Sequence, residues 1–139
     1  MTSDISVQKT AYQVENRSWL LGPHGTEDTP SVTLDISKFT AGTHFPNGYI
    51  PSGTVLGKVT ATGLYGPYSN AASDGTETAV GILFSNVRVT NDNGQNKTKV
   101  GGAVLVHGFI KKSRLPFSSG AGSLDTAGET DLKLIHVTA

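Results

Sequence analysis

The amino-acid sequence predicts a mainly β domain, folded as a small barrel or a bent ribbon that its own ends close. Val, Ile and Thr, which favour the half-buried surface of a sheet, supply 35 of the 139 residues. The 17 Gly and 6 Pro are spread along the chain between short apolar runs. This punctuation is typical of many short strands joined by turns.

The first 30 residues differ from the rest. Gly is sparse before Gly22, and the apolar residues there recur at irregular gaps. Residues 22–30, GPHGTEDTP, have the composition of a turn or loop. We predict a flexible N-terminal arm and linker over residues 1–30 and a β domain over residues 31–139. The alternative is an ordinary edge strand packed on the core.

Four segments of the body have strand patterns. The first segment is residues 31–36, in which apolar and polar side chains alternate strictly. The second is residues 54–61. Residues 79–84 form a nearly continuous apolar run, which indicates a buried strand. Within that run, Gly81 marks a close approach of another backbone. Residues 102–110 form the most apolar strand of all.

The C-terminal part carries the one helix pattern that we recognise. Residues 123–132 predict a helix of one or two turns with Ser123 as a possible N-cap. Gly128 weakens it by about 1 kcal/mol relative to Ala. Leu132, Leu134 and Val137 then predict a final strand. We therefore expect one short C-terminal helix followed by a closing strand.

The composition excludes several kinds of chemistry. Cys is absent, which excludes disulfides, thiolate catalysis and Cys-type zinc sites. We find no nucleophile elbow, phosphate-binding loop, dinucleotide fingerprint or zinc-protease motif. Eleven basic and eleven acidic residues cancel, so no basic face for nucleic acid is indicated. No apolar run could span a membrane, and no secretory signal is visible. We expect no cofactor, metal, nucleic-acid or membrane partner.

Single residues of chemical interest have plain structural interpretations. None of the histidines lies at metal-ligand spacing from another, although His107 and His136 could meet in space; the four are His24, His44, His107 and His136. Satisfied structural histidines are favoured over a shared metal. Asp74, beside Gly75, is interpreted as a turn former before a catalytic acid.

Two further features leave alternatives open. Residues 111–114, KKSR, form the only basic cluster, either a solvated strand end or a contact to an acidic partner. Trp19 is the only Trp, and large aromatic side chains serve both as core residues and as interface anchors.

Two stretches carry a family resemblance. Residues 48–68, GYIPSGTVLGKVTATGLYGPY, and residues 74–84, DGTETAVGILF, resemble the lambda-type bacteriophage head decoration protein family. Residues 29–35, residues 104–108 and the tail fit the same order and spacing, so the resemblance covers about residues 29–138. It implies a β-clip-like domain and a structural protein, not an enzyme.

The resemblance also implies partners and a location. We expect a homotrimer that binds the major capsid protein on the outer surface of the expanded head, at three-fold and quasi-three-fold sites. The trimer would stabilise the virion against DNA pressure after synthesis in the host cytoplasm, with no small-molecule substrate. The arm would add a strand to a capsid-protein sheet. Residues 1–29 match no family pattern, so position alone suggests the capsid contacts: Ile5, Val7, Tyr12, Val14 and Trp19.

Two rival functions are weaker. Trimeric dUTP-hydrolysing enzymes resemble the predicted fold class, but their Val-Asp…Tyr pattern and glycine-rich tail are not found here. A sugar- or receptor-binding module of a phage virion is the second rival. In that case Tyr49, Tyr65, Tyr68 and Trp19 would form a stacking platform, unless Tyr65 and Tyr68 simply brace the turn between them.

Overall fold

A computed structural model describes residues 15–91 and 94–139. In that part of the chain, two short helices are present, α1 (Ala41–His44) and α2 (Thr126–Asp131), with single 3-10 turns at Ile36–Lys38 and Lys112–Arg114. The strands are β1 (Ser31–Asp35), β2 (Tyr49–Ile50), β3 (Val55–Lys58), β4 (Tyr65–Pro67), β5 (Ala79–Leu83), β6 (Val87–Arg88), β7 (Lys99–Leu105), β8 (Gly108–Lys111) and β9 (Ile135–Thr138). The predicted mainly β fold is confirmed.

Five strands close a barrel in the order β1-β4-β3-β5-β7. Strand β1 runs antiparallel to β7 over its whole length and meets β4 in a parallel pair at Leu34 and Tyr65. Strand β3 lies antiparallel between β4 and β5, and β5 completes the circle against β7. Because the barrel is closed, none of these strands presents a free edge for non-specific pairing. Strands β2 and β6 form a separate two-stranded sheet.

A second small sheet lies beside the barrel. Strands β8 and β9 pair in parallel, from Gly108 opposite Ile135 to Lys111 opposite Thr138. On the other side of β8, Leu20 forms an antiparallel bridge with Ile110. The Leu21 amide donates to the Phe109 carbonyl at 3.0 Å, and the Lys111 amide donates to the Trp19 carbonyl at 2.7 Å. Residues 19–21 therefore act as a third, outer strand of the β8–β9 sheet.

The core consists of two clusters. One fills the barrel around Leu34, Leu56 and Leu83. The other contains side chains from β3, β5, β8 and β9 together with Leu124 and Leu132 at the two ends of α2, so it lies between the barrel wall and the small sheet. Trp19 belongs to this second cluster, and its indole N–H donates to Ser52 Oγ at 3.2 Å. Burial of a Trp with its N–H satisfied binds residues 19–21 to the domain.

The elements differ from the predictions at four places. The turn predicted between Tyr65 and Tyr68 is strand β4 (Tyr65–Pro67), which pairs with β3. The predicted strand over residues 102–110 is two strands, separated by Val106 and His107. The second begins at Gly108, whose φ of +151° favours glycine. Helix α2 is capped by Asp125 rather than Ser123. Helix α1 was not predicted. In the described residues, no helix is both long and apolar enough to cross a membrane.

The predicted close approach at Gly81 is confirmed. A β-carbon added there would collide with Val104 Cγ2 of the adjacent strand β7 and lie 2.8 Å from the Leu105 carbonyl oxygen. The barrel wall therefore closes at this point only because residue 81 lacks a side chain.

Candidate functional site

The large exposed apolar side chains of the described residues gather on one side of the small sheet. They are Leu21, Phe109 and Leu134, with 46%, 44% and 65% of their surface exposed. Leu21 lies directly opposite Phe109, because their strands pair antiparallel. Leu134 precedes β9, and its carbonyl accepts from the Gly108 amide at 3.2 Å. We call the surface formed by Leu21, Phe109, Leu134 and His136 the apolar face.

The apolar face exists because side chains alternate across a strand. In β8, Gly108 and Ile110 are buried and Phe109 between them is exposed. Its partner in β9 is His136, also exposed, whereas Ile135 is buried. The inward side of each strand thus enters the second core cluster, and the outward side is left to solvent.

Histidine rings surround Phe109 on this face. The ring of His136 lies 5.7 Å from that of Phe109, and the ring of His24 lies 5.6 Å from it. His24 also packs against His107, with ring centroids 4.5 Å apart. The predicted proximity of His107 and His136 is therefore indirect, through His24 and Phe109. Within residues 15–91 and 94–139, no group of three or more His, Asp or Glu could hold a metal ion.

The fourth histidine has a structural role. His44 is buried, its Nδ1 accepts from the Thr40 amide at 2.8 Å, and its Nε2 lies 2.9 Å from the Ala121 carbonyl oxygen. That arrangement requires the proton on Nε2. His44 is thus a satisfied structural histidine, as predicted.

The chain enters the domain beside the apolar face. Glu15 Oε1 accepts from the backbone amide of Asn86 at 2.6 Å, and Glu15 Oε2 forms an ion pair with Arg17 at 2.6 Å. The Arg17 guanidinium donates to Ser85 Oγ at 3.0 Å and lies 4.1 Å from the centre of the Phe84 ring. A shallow groove of about 320 Å³ is lined by Arg17, Leu20, Leu21 and Phe84. We call residues 15–21, held in this way, the arm root.

The residues predicted to bind a partner have different outcomes. Ile5, Val7, Tyr12 and Val14 lie outside the described residues. Trp19 has no exposed surface, so the core-packing alternative applies to its side chain in this structure. Residues 19–21, which precede the predicted boundary at residue 30, pack on the domain.

The tyrosines do not form an open stacking platform. Tyr68 is only 1% exposed, and its hydroxyl donates to Asp125 Oδ1 at 2.7 Å. Burial and this hydrogen bond raise the pKa of Tyr68. The same hydrogen bond lowers the pKa of Asp125. With Tyr68 and Trp19 both buried, two of the four proposed platform rings cannot stack on a sugar.

Asp74 and two residues of the basic cluster form contacts within the domain. Asp74 Oδ1 accepts from the Thr76 hydroxyl at 2.6 Å and from its amide at 3.1 Å, so Asp74 is the predicted turn former. In the cluster, Lys112 pairs with Glu129 at 3.3 Å, and Arg114 donates to the Ser18 carbonyl at 3.2 Å. These two cations support α2 and the arm root.

Sequence reasoning missed the apolar face. Phe109 stands inside the apolar run over residues 102–110, and no local pattern indicates that β8 pairs with β9, so the sequence alone offers no clear signal for this face.

The comparisons with known proteins give one match. The family model described as bacteriophage lambda head decoration protein D matches residues 25–136. No curated protein matches the chain. The matched range includes the barrel, β8, α2 and the first part of β9, but not Trp19 or the residues before it.

Proposed function

The chain belongs to the bacteriophage lambda head decoration protein D family, and from this premise we propose that it forms a homotrimer on the outer surface of the expanded phage head. Its family makes it a structural protein that decorates a phage capsid. The match over residues 25–136 is the observation that carries the proposal. We place the trimers at three-fold and quasi-three-fold sites, where one trimer contacts several capsid subunits.

Selective binding explains how such a protein stabilises a shell. A molecule that binds one state and not another shifts the equilibrium towards the bound state, by an amount set by its concentration and affinity. A decoration protein that binds only the expanded head therefore opposes both collapse and rupture of that form. A closed barrel with two buried core clusters supports this role, because a rigid unit transmits load without local unfolding.

We further propose that the N-terminal arm binds the capsid by adding a strand to a capsid-protein sheet. Main-chain hydrogen bonds would supply affinity, and alternate side chains would supply specificity. The proposed contacts are Ile5, Val7, Tyr12 and Val14. The arm root supports this proposal, because Arg17 and Trp19 fix the place at which the proposed arm would join the domain. Three arms on one trimer would bind with a raised effective concentration.

Co-sedimentation with purified heads tests the proposal. The full chain should bind expanded, undecorated heads saturably and leave unexpanded heads bare. A chain lacking residues 1–14 should remain trimeric but bind expanded heads at least tenfold more weakly.

A matched pair of variants isolates the side chains of the arm. Replacing Ile5, Val7, Tyr12 and Val14 by Ser should weaken binding, whereas Gln8→Ser with Gln13→Ser should not. Equal affinity of the full and shortened chains for expanded heads would reject the arm as a capsid-binding element. Absence of binding by the full chain to either form of head would reject capsid decoration itself.

A further inference from the structure

We propose that the apolar face is a second capsid-binding surface, which lies against the shell while the arm engages it. This inference rests on the proposed function and adds the surface through which the domain itself docks. The partner that fits is an apolar patch on the outside of the capsid protein.

The first argument is the concentration of exposed apolar side chains. Leu21, Phe109 and Leu134 are the large hydrophobic side chains that remain exposed among the described residues. Leu21 lies opposite Phe109, and Phe109 lies opposite His136. Leu134 and His136 are the exposed residues on either side of buried Ile135, so alternation places Leu134 on the side of His136. Scattered exposed hydrophobic residues need no explanation, but a contiguous group marks an interaction site. None of these three side chains belongs to the second core cluster, so packing within the domain does not explain why these positions are apolar.

The second argument concerns charge. The apolar face contains neither a carboxylate nor an amine, because its fourth member is His136 and its flanking rings are His24 and His107. Burying formal charges would cost desolvation energy that apolar and aromatic groups avoid. Covering the side chains of Leu21, Phe109 and Leu134 therefore buries no carboxylate, ammonium or guanidinium group of the apolar face itself.

The third argument is continuity with the arm, and it selects the capsid over a second copy of the chain. Leu21 belongs both to the apolar face and to the groove at the arm root, which it shares with Arg17 and Phe84. Leu21 is also the last residue of the arm root, so the apolar face lies beside the place where a capsid-bound arm would join the domain. An arm bound to the shell therefore keeps this face within reach of the same shell, and each subunit gains a second attachment.

The test uses two single substitutions on the face, Phe109→Ser and Leu134→Ser, and one exposed control away from it, Ala61→Ser. For each full-length variant we would measure affinity for expanded heads, oligomeric state by sedimentation velocity, and Tm. We expect each face variant to bind heads about tenfold more weakly, as loss of one buried apolar side chain predicts. The trimer and the Tm should stay as in the wild type, and the control should bind normally.

The outcomes separate the inference from its premise. Wild-type affinity in both face variants would overturn the apolar face as a capsid contact while leaving the proposed function intact. Loss of the trimer in these variants would also overturn it, because the face would then join copies of this chain. If Phe109→Ser lowers the Tm, the affinity of Leu134→Ser for expanded heads decides whether the face binds the capsid, since the Leu134 side chain is 65% exposed. If the wild type binds no heads, the proposed function fails and this inference fails with it.

Discussion

Gly81 is a residue at which the barrel cannot accept a side chain without moving a neighbouring strand. Its position against Val104 and the Leu105 carbonyl leaves no space for a β-carbon. We expect Gly81→Val to lower the free energy of unfolding by about 1–3 kcal/mol or more, because the backbones of β5 and β7 must separate. Gly101→Val is the matched control, since a β-carbon there meets nothing within 4 Å. Chemical denaturation followed by circular dichroism measures both; equal stability of the two variants would contradict the close approach.

Asp74 gives the fold a dependence on acidic pH. Hydrogen bonds from Thr76, with Lys38 3.2 Å away, lower the pKa of Asp74 from 3.8 to about 2. A carboxyl whose pKa is lower in the folded state stabilises that state fully above its ordinary pKa. The contribution is lost as the pH falls through the folded-state value.

We therefore expect Asp74→Asn to be less stable than the wild type at pH 7, with the difference closing between about pH 4 and pH 2. Urea denaturation across this range measures the difference between the two proteins. A difference that stays constant from pH 7 to pH 2 would mean that the charge of Asp74 contributes nothing.

At the scale of elements, Asp125 joins α2 to the barrel. Its Oδ1 accepts from the Gly128 amide at 2.8 Å, which caps the helix, and from the Tyr68 hydroxyl at 2.7 Å. We expect Asp125→Ala to cost about 1–3 kcal/mol of stability, because it removes the cap and leaves a buried hydroxyl without its acceptor. Tyr68→Phe should cost less, since the cap remains.

A double-mutant cycle measures how far the two roles of Asp125 depend on each other. If the Tyr68 hydroxyl matters only through Asp125, the double variant should be no less stable than Asp125→Ala alone. If the stability losses of the two single variants simply added in the double variant, the hydrogen bond between Tyr68 and Asp125 would contribute no coupling energy.

The elements that the sequence predicted well are those held by local pattern. Alternation over residues 31–36 and the apolar run over residues 79–84 correspond to β1 and β5 of the barrel. Helix α1 escaped prediction because its stability comes from a distant contact, His44 to Ala121. Likewise, nothing local indicates that β8 pairs in parallel with β9 across more than twenty intervening residues. Pairings between distant segments depend on the tertiary fold, which periodicity does not encode.

On the scale of the whole molecule, the apolar face shows why the site was harder to predict than the fold. Phe109 has ordinary strand composition, and only its pairing with residues from two distant segments places it between Leu21 and His136. Trp19 shows the opposite case: a residue in an arm-like segment is part of the second core cluster. Composition suggested where the body begins, but packing decides which residues stabilise it.

Truncation tests where the arm ends and the domain begins. Removing residues 1–14 leaves the whole arm root in place, whereas removing residues 1–20 also deletes Trp19, which is fully buried. We expect the first truncation to keep the wild-type stability and the second to lose about 3–5 kcal/mol or more, the cost of emptying a large aromatic site in a core.

Trp19→Ala in the full-length chain is the control that separates the side chain from the strand around it. It should reproduce most of the loss caused by removing residues 1–20, because the bridge between Leu20 and Ile110 contributes less than the buried indole. Thermal and urea unfolding followed by circular dichroism would rank the four proteins. If removal of residues 1–20 left the Tm unchanged, residues 15–20 would belong to the arm, and the domain would begin after them as the sequence predicted.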